Sequence, residues 1–359
     1  MILNKRLGED MKKTKKFILN FIFFIMLIIL TFSIILKDQN ILDIFYLMLD
    51  SKKGYIIIAI LCMLVYLLLE AVNMQRTLKV TGNKTKFLSA VKYSFIGFFF
   101  SAITPAASGG QPMQIYYMHR DKISVADSTL ALLMNLCSFQ IITISSALIS
   151  LVFFGSYLQG GMIGLFIIGI LLNLSALAIL LIGIFSQKLS KWLVNLLIKF
   201  LKKFKFRNAN QIEEKLNNEL LKYHGSSKYI KEHKKIIFKM LITTFLQIAI
   251  YYSIPYWIYR SVGFNEVSII KIISLQSILY ATVSGIPLPG AVGVSESGFL
   301  NIFKTIFTPE KVSGAMLLNR GVSFYLFAII SGIVVIINMF KTKKEDKNIV
   351  VSKEKIKNT

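Results

Sequence analysis

"ITPAASGGQPMQIYY", residues 103–117, interrupts an apolar run that begins at Phe87. Two prolines, Pro105 and Pro112, and the pair Gly109-Gly110 stand where a membrane helix would continue or end in charge. Such a break either kinks a crossing helix or turns the chain back at membrane depth. The rest of the sequence decides between the two.

The 359-residue chain is 55% hydrophobic and 17% charged, with a mean hydropathy of +0.62. That is too apolar for a soluble globular protein and marks an all-α polytopic membrane protein. Crossing a bilayer takes roughly 20 apolar residues, and six runs qualify: 17–36, 54–72, 129–154, 161–185, 237–259 and 315–340. Two shorter runs, 87–104 and 267–286, each end in a Pro/Gly-rich break, the second reading "GIPLPGAVG". The first run follows basic residues as a signal peptide would, but no small-residue cleavage site follows it, so a retained helix is expected. Cys62 and Cys137 lie inside spans with no Cys or His at ligand spacing, so neither a disulfide framework nor a metal or cofactor site is expected.

The formal charge is +24, with six Lys/Arg in residues 1–16, thirteen in 186–236 and seven in 341–359. In a polytopic protein, basic loops mark the cytoplasmic face and meet anionic headgroups there, so no nucleic-acid partner is expected. This placement constrains the number of crossings. If 87–104 spans fully, the basic loop 186–236 lands outside; if it dips in, breaks at Pro105 to Gly110 and returns, the loop lands inside. A second re-entrant hairpin over 267–307 keeps the C-terminal tail cytoplasmic, although two full crossings satisfy that count equally. The reading is six full spans plus two re-entrant hairpins, 87–117 and 267–307, in an inverted repeat with the site between them. The divisions are a basic N-terminus 1–16, a membrane half 17–185, a basic loop 186–236, a second membrane half 237–340 and a basic tail 341–359. Plain kinking of ordinary helices is the competing reading.

Ionisable residues in the membrane are costly and therefore candidates for function. Glu296 in "GVSESGF" opens a short helix after the second break, where a carboxylate also favours the helix dipole. Arg320 in "LLNRGVSF" pairs with Glu296 or receives a phosphate, with snorkelling to the interface as the alternative. Ser295 and Asn319 flank these two, and Arg120 follows the first break near the expected cytoplasmic interface. Thr104, Pro105, Gly109, Gly110 and Pro112 in the first break, with Pro287, Pro289, Gly290 and Gly293 in the second, are expected to line the cavity. Glu70, Asn73 and Arg76 read as a surface network, and Asn135 and Gln140 as interhelical glue. Residues 188–206 form an amphipathic stripe with lysines opposite, fit for the plane of the cytoplasmic leaflet. P-loop, GxSxG and HExxH signatures are absent from the sequence.

"TPAASGGQPMQIYYMHR", "SGIPLPGAVGVSESGF" and "NRGVSFY", in that order, resemble the motifs of the lysylphosphatidylglycerol synthase transmembrane family, whose module also forms the membrane region of the multiple peptide resistance factor. Gln111 departs from the acidic residue often found at its position. The resemblance implies a flippase-like translocase for phosphatidylglycerol-type or lysylated phospholipid, linked to cationic-peptide resistance in the plasma membrane. Two-part members add a cytosolic domain that transfers lysine to the lipid. Only nineteen residues follow the last span, so catalysis by this chain alone is not expected. A membrane subunit serving a separate lysyltransferase chain and an inverted-repeat ion or solute transporter are the alternatives.

Overall fold

The computed structural model describes residues 26, 41–158, 160–203, 209–286 and 288–340. The expected first span, the basic N-terminus, the basic tail, Pro287 and residues 204–208 at the end of the amphipathic stripe lie outside the described residues. The elements are α1 (Ile41–Asp50), α2 (Lys53–Val80), α3 (Phe87–Ala102), α4 (Gly110–Arg120), α5 (Val125–Phe154), α6 (Gly161–Phe185), α7 (Gln187–Lys203), α8 (Ala209–Glu232), α9 (Lys234–Tyr252), α10 (Ile254–Ser261), α11 (Ile269–Val283), α12 (Val294–Phe303) and α13, which begins at Pro309 and runs through a π turn at Gly321–Tyr325 to Phe340. No strand occurs among the described residues. The chain is a multi-pass helical membrane protein.

Among the described residues, five helical stretches are long and apolar enough to cross a bilayer: Lys53–Val80, Val125–Tyr157, Gly161–Ile184, Lys234–Ser261 and Pro309–Phe340. They correspond to the five expected spans after residue 36. The last begins at Pro309, not at 315, because Pro309 starts a helix well and its polar first turns continue into the apolar run. Outward side chains such as Ile163, Ile167, Leu171 and Ile179 are exposed, as suits a surface solvated by lipid tails. Inside, α2 packs along α9, α10, α3 and α5, and α11 lies against α5 and α6. Asn73, expected on a surface, is fully buried and donates to Thr244 Oγ1 at 2.9 Å, while Arg76 reaches Asn73 Oδ1 at 2.7 Å and Thr243 Oγ1 at 3.0 Å. These two residues join α2 to α9.

Helices α3 and α11 have 16 and 15 residues, short of a full crossing, and each leads through a break into another short helix. The breaks share the geometry of their first four residues and differ after it, Ser108 and Gly109 being right-handed where Val292 is extended and Gly293 has positive φ. Thr104 and Leu288 are extended, as the residue before proline must be. Pro105 and Pro289 then start single 3-10 turns, whose second and third residues, Ala106 and Ala107 or Gly290 and Ala291, have positive φ. Four residues after each proline stands a glycine, Gly109 or Gly293, and the next helix begins immediately. Thr104 closes the first break: its Oγ1 donates to Phe100 O at 2.6 Å and accepts from Gly109 N at 2.9 Å, pairing backbone groups that the helix ends leave open. The two breaks touch each other.

The basic loop holds more than its stripe. Besides α7, on which Trp192 and Leu196 are exposed, it contains α8, which docks on the start of α5. Lys222 Nζ meets the fully buried Asp127 carboxylate at 2.8 Å, Ser226 Oγ donates to Asp127 Oδ1 at 3.2 Å, and Glu219 accepts from Ala126 N at 2.8 Å.

Candidate functional site

Where the two broken-helix hairpins meet, they enclose a cavity of about 340 Å³. The first hairpin contributes Gly97, Ser101, Ala106, Ala107, Gln111 and Gln114 to its wall; the second contributes Gln276, Tyr280, Ser284, Gly290 and Ser295. Helices α2, α5, α9 and α13 complete it, with Asn319 and Arg320 on α13. Polar side chains at this depth are expensive in an apolar bundle unless they face a partner or water. Their convergence on one cavity is the main functional signal of the fold.

Glu296 is fully buried in the first turn of α12 and binds three donors. Its Oε2 accepts from Gly293 N at 2.7 Å, closing the helix start. Its Oε1 accepts from Arg320 Nε at 2.8 Å and from Tyr325 Oη at 3.0 Å. Arg320 Nη2 donates to Gly290 O at 3.0 Å, and the guanidinium lies over the Phe324 ring, 4.3 Å from its centroid. One arginine thus ties the last helix to both ends of the second break. The π turn makes this possible. In an unbroken α-helix, side chains five residues apart point about 140° apart, whereas the wider turn brings Arg320 and Tyr325 to the same carboxylate oxygen. Gly290 has φ +59°, which glycine adopts most readily and Ala106 also adopts in the first break, but a Cβ at Gly290 would stand 2.1 Å from the Phe324 ring, so the close approach of the ring requires glycine.

Several expected site residues meet here and others do not. Ser295, Asn319, Gly290 and Arg320 line the cavity; Glu296 sits directly behind Arg320. Pro289 and Gly293 shape the second turn without lining it. In the first break, Ala106, Ala107 and Gln111 face the cavity, in place of the expected Thr104, Pro105, Gly109, Gly110 and Pro112. The latter set the turn: a Cβ on Gly110 would collide with Ser101 Oγ at 2.1 Å, where α3 and α4 approach closely. Arg120, at the end of α4, lies near Tyr116 Oη at 3.5 Å and does not line the cavity. Asn135, read as interhelical glue, lines it. Glu70, read as part of a surface network, turns inward and accepts from Gln114 Nε2 at 3.4 Å. Its only sequence signal is Tyr66 one turn away, another cavity residue. Tyr325 was not anticipated at all, since nothing in "NRGVSFY" announces a π turn.

The fold and site define a polytopic helical membrane protein with an internal cavity, holding charged and amide side chains, between two broken-helix hairpins. Residues 17–331 match the family described as the lysylphosphatidylglycerol synthase TM region, and the chain belongs to this family. It is also similar to a UPF0104 membrane protein of Archaeoglobus fulgidus, 22% identical over 293 residues, which cover 80% of this chain and 88% of that protein.

Proposed function

We propose that the protein is a lipid translocase that carries a phosphatidylglycerol-type or aminoacylated phospholipid headgroup across the bilayer through the cavity between its hairpins. The observation that carries this reading is that cavity: lined by charged and amide side chains among apolar ones, walled by both breaks, and held inside a bundle whose outer face is apolar. Acyl tails can stay in lipid while the headgroup, which lipid excludes, passes along the polar wall. In this reading, hairpins 87–117 and 267–307 are re-entrant and related as an inverted repeat, for which their matching Pro-to-Gly spacing and the dihedral pattern shared by the start of each break speak. The membrane halves 17–185 and 237–340 then frame one site, with both termini and the loop 186–236 at the cytoplasmic face of the plasma membrane.

Arg320 faces the lipid phosphate, its orientation fixed by Glu296, Tyr325 and Gly290. Ser295 and Asn319 add hydrogen-bonding groups beside it, and Arg120 offers charge to headgroups at the interface. Outward movement of a lysylated lipid would make the outer surface less negative and so weaken its attraction for cationic peptides. The test is deletion of the gene in a cell that makes lysylated phosphatidylglycerol. A translocase leaves total lysyl-lipid unchanged and lowers its exposure in the outer leaflet. Loss of synthesis supports a subunit of a lysyltransferase system, and no change in either supports a solute transporter.

A further inference from the structure

A second carboxyl group in the cavity has no counter-ion. Arg320 is matched by Glu296, whereas Glu70 forms no ion pair among the described residues and meets only the Gln114 amide, at 3.4 Å. Taken together, Glu70, Arg320 and Glu296 leave the site one formal negative charge in excess. Two further acceptors on the same wall are open: Gln276 Oε1 and Asn319 Oδ1 are buried with no hydrogen-bond partner. Buried acceptors left without donors are costly, and a cavity that sets two of them near a carboxylate with no cation is shaped for a donor.

Beside Glu70 stands a ring of aromatic side chains drawn from four helices. Tyr66 of α2, Tyr251 of α9, Tyr280 of α11 and Phe139 of α5 all line the cavity. Their centroids form a closed circuit, with Tyr66–Tyr251 at 4.8 Å, Tyr251–Tyr280 at 6.0 Å, Tyr280–Phe139 at 5.9 Å and Phe139–Tyr66 at 6.5 Å. Aromatic faces are electron-rich and attract cations, most strongly where water is excluded. A carboxylate, open amide oxygens and clustered rings are all complementary to positive charge.

We propose that this part of the cavity is a subsite for a primary ammonium group, with Glu70 as counter-ion, the Tyr66–Phe139–Tyr251–Tyr280 ring as its aromatic wall, and Gln276 and Asn319 as acceptors for its N–H groups. A primary ammonium supplies three donors, which the open acceptors require and a quaternary ammonium lacks. The subsite rests on the translocase reading only for the origin of its ligand: the ammonium belongs to an amine-bearing lipid headgroup or to a soluble amine. With Arg320 nearby, one cavity then offers separate places for the phosphate and the amine of a single headgroup.

The test measures lipid retention by the purified full-length chain with native mass spectrometry, offering phosphatidylethanolamine and its N-acetylated form, which keeps the phosphate and loses the ammonium. The expected result is at least a tenfold preference for the free amine in wild type, reduced to threefold or less in both Glu70→Gln and Tyr251→Leu, with Glu70→Asp retaining part of it. Thermal unfolding of each variant confirms that it folds. Equal retention of the two lipids by wild type, or a preference that survives both substitutions, overturns the proposal. Added ethanolamine separates the sources: displacement of the lipid assigns the subsite to soluble amines, and continued lipid preference assigns it to headgroups. Transport assayed on the same samples keeps the two proposals apart. Transport without amine preference removes the subsite and leaves the translocase; amine preference without transport does the reverse.

Discussion

Arg320 Nε and Tyr325 Oη donate to the same oxygen of Glu296, at 2.8 and 3.0 Å, from either end of one π turn. Removing one member of a buried ion pair leaves the other charged and unpaired, which costs roughly 3–5 kcal/mol. Arg320→Met is therefore expected to lower stability in detergent by about that much, and Glu296→Gln to do so to a smaller extent, because the amide still accepts from Tyr325. Combining the two should cost clearly less than the sum of the singles. A double-mutant cycle on thermal unfolding measures the difference, and additive losses would show that the pair is not coupled.

Gly290 sits where the second break passes under Phe324. Gly290→Ala adds a Cβ both at a left-handed φ and against the ring, at a combined cost of about 2–4 kcal/mol. Gly290→Ala combined with Phe324→Ala should recover the steric part of the loss beyond what Phe324→Ala itself removes. Full loss in the combined variant would mean that backbone strain alone forbids a side chain there.

Docking of α8 depends on Asp127, fully buried and bonded to Lys222, Ser226, Asn83 and Ser124. Asp127→Ala strips donors on three segments of their acceptor, and an expected loss of about 1–3 kcal/mol falls mainly on this contact. Hydrogen exchange over residues 209–232 should rise well before exchange in the spans does. Unchanged protection of α8 would place its anchorage elsewhere, in the bonds of Tyr223 to Gly183 O and Ser227 to Ile184 O.

The proposed re-entry of the first hairpin would fix the side on which every later loop lies. In a background without Cys62 and Cys137, Ser156→Cys in the turn after α5 should react with a membrane-impermeant maleimide applied to intact cells, and Gly225→Cys on α8 should react only after lysis. The reversed pattern would mean that residues 87–104 cross fully.

Much of this arrangement was legible in the sequence because prolines and glycines act locally. "TPAASGG" and "LPGAVG" each state their own turn: proline fixes φ, the residue before it is extended, and the glycine four places on opens the next helix. The Glu296–Arg320 pairing was one of three readings, beside a phosphate partner and snorkelling to the interface, because charge in an apolar run needs a partner but does not say which one. What escaped the sequence is carried by long-range packing. Glu70 points inward because Gln114, 44 residues later, lies opposite it. The helix at Ala209–Glu232 is charged on most faces, so its periodicity was hidden within a basic loop. The π turn at Gly321–Tyr325 follows from what Arg320 and Tyr325 must both reach, and residue type does not encode it.

The most direct measurement is leaflet-resolved transport in proteoliposomes, with phosphatidylglycerol and its lysyl form offered to wild type, Glu296→Gln and Arg320→Ala. A translocase built on this cavity moves at least one of the two lipids in the wild type and loses at least tenfold of that rate in both variants. Transport of neither lipid by folded wild-type protein, or equal transport by all three proteins, would contradict it.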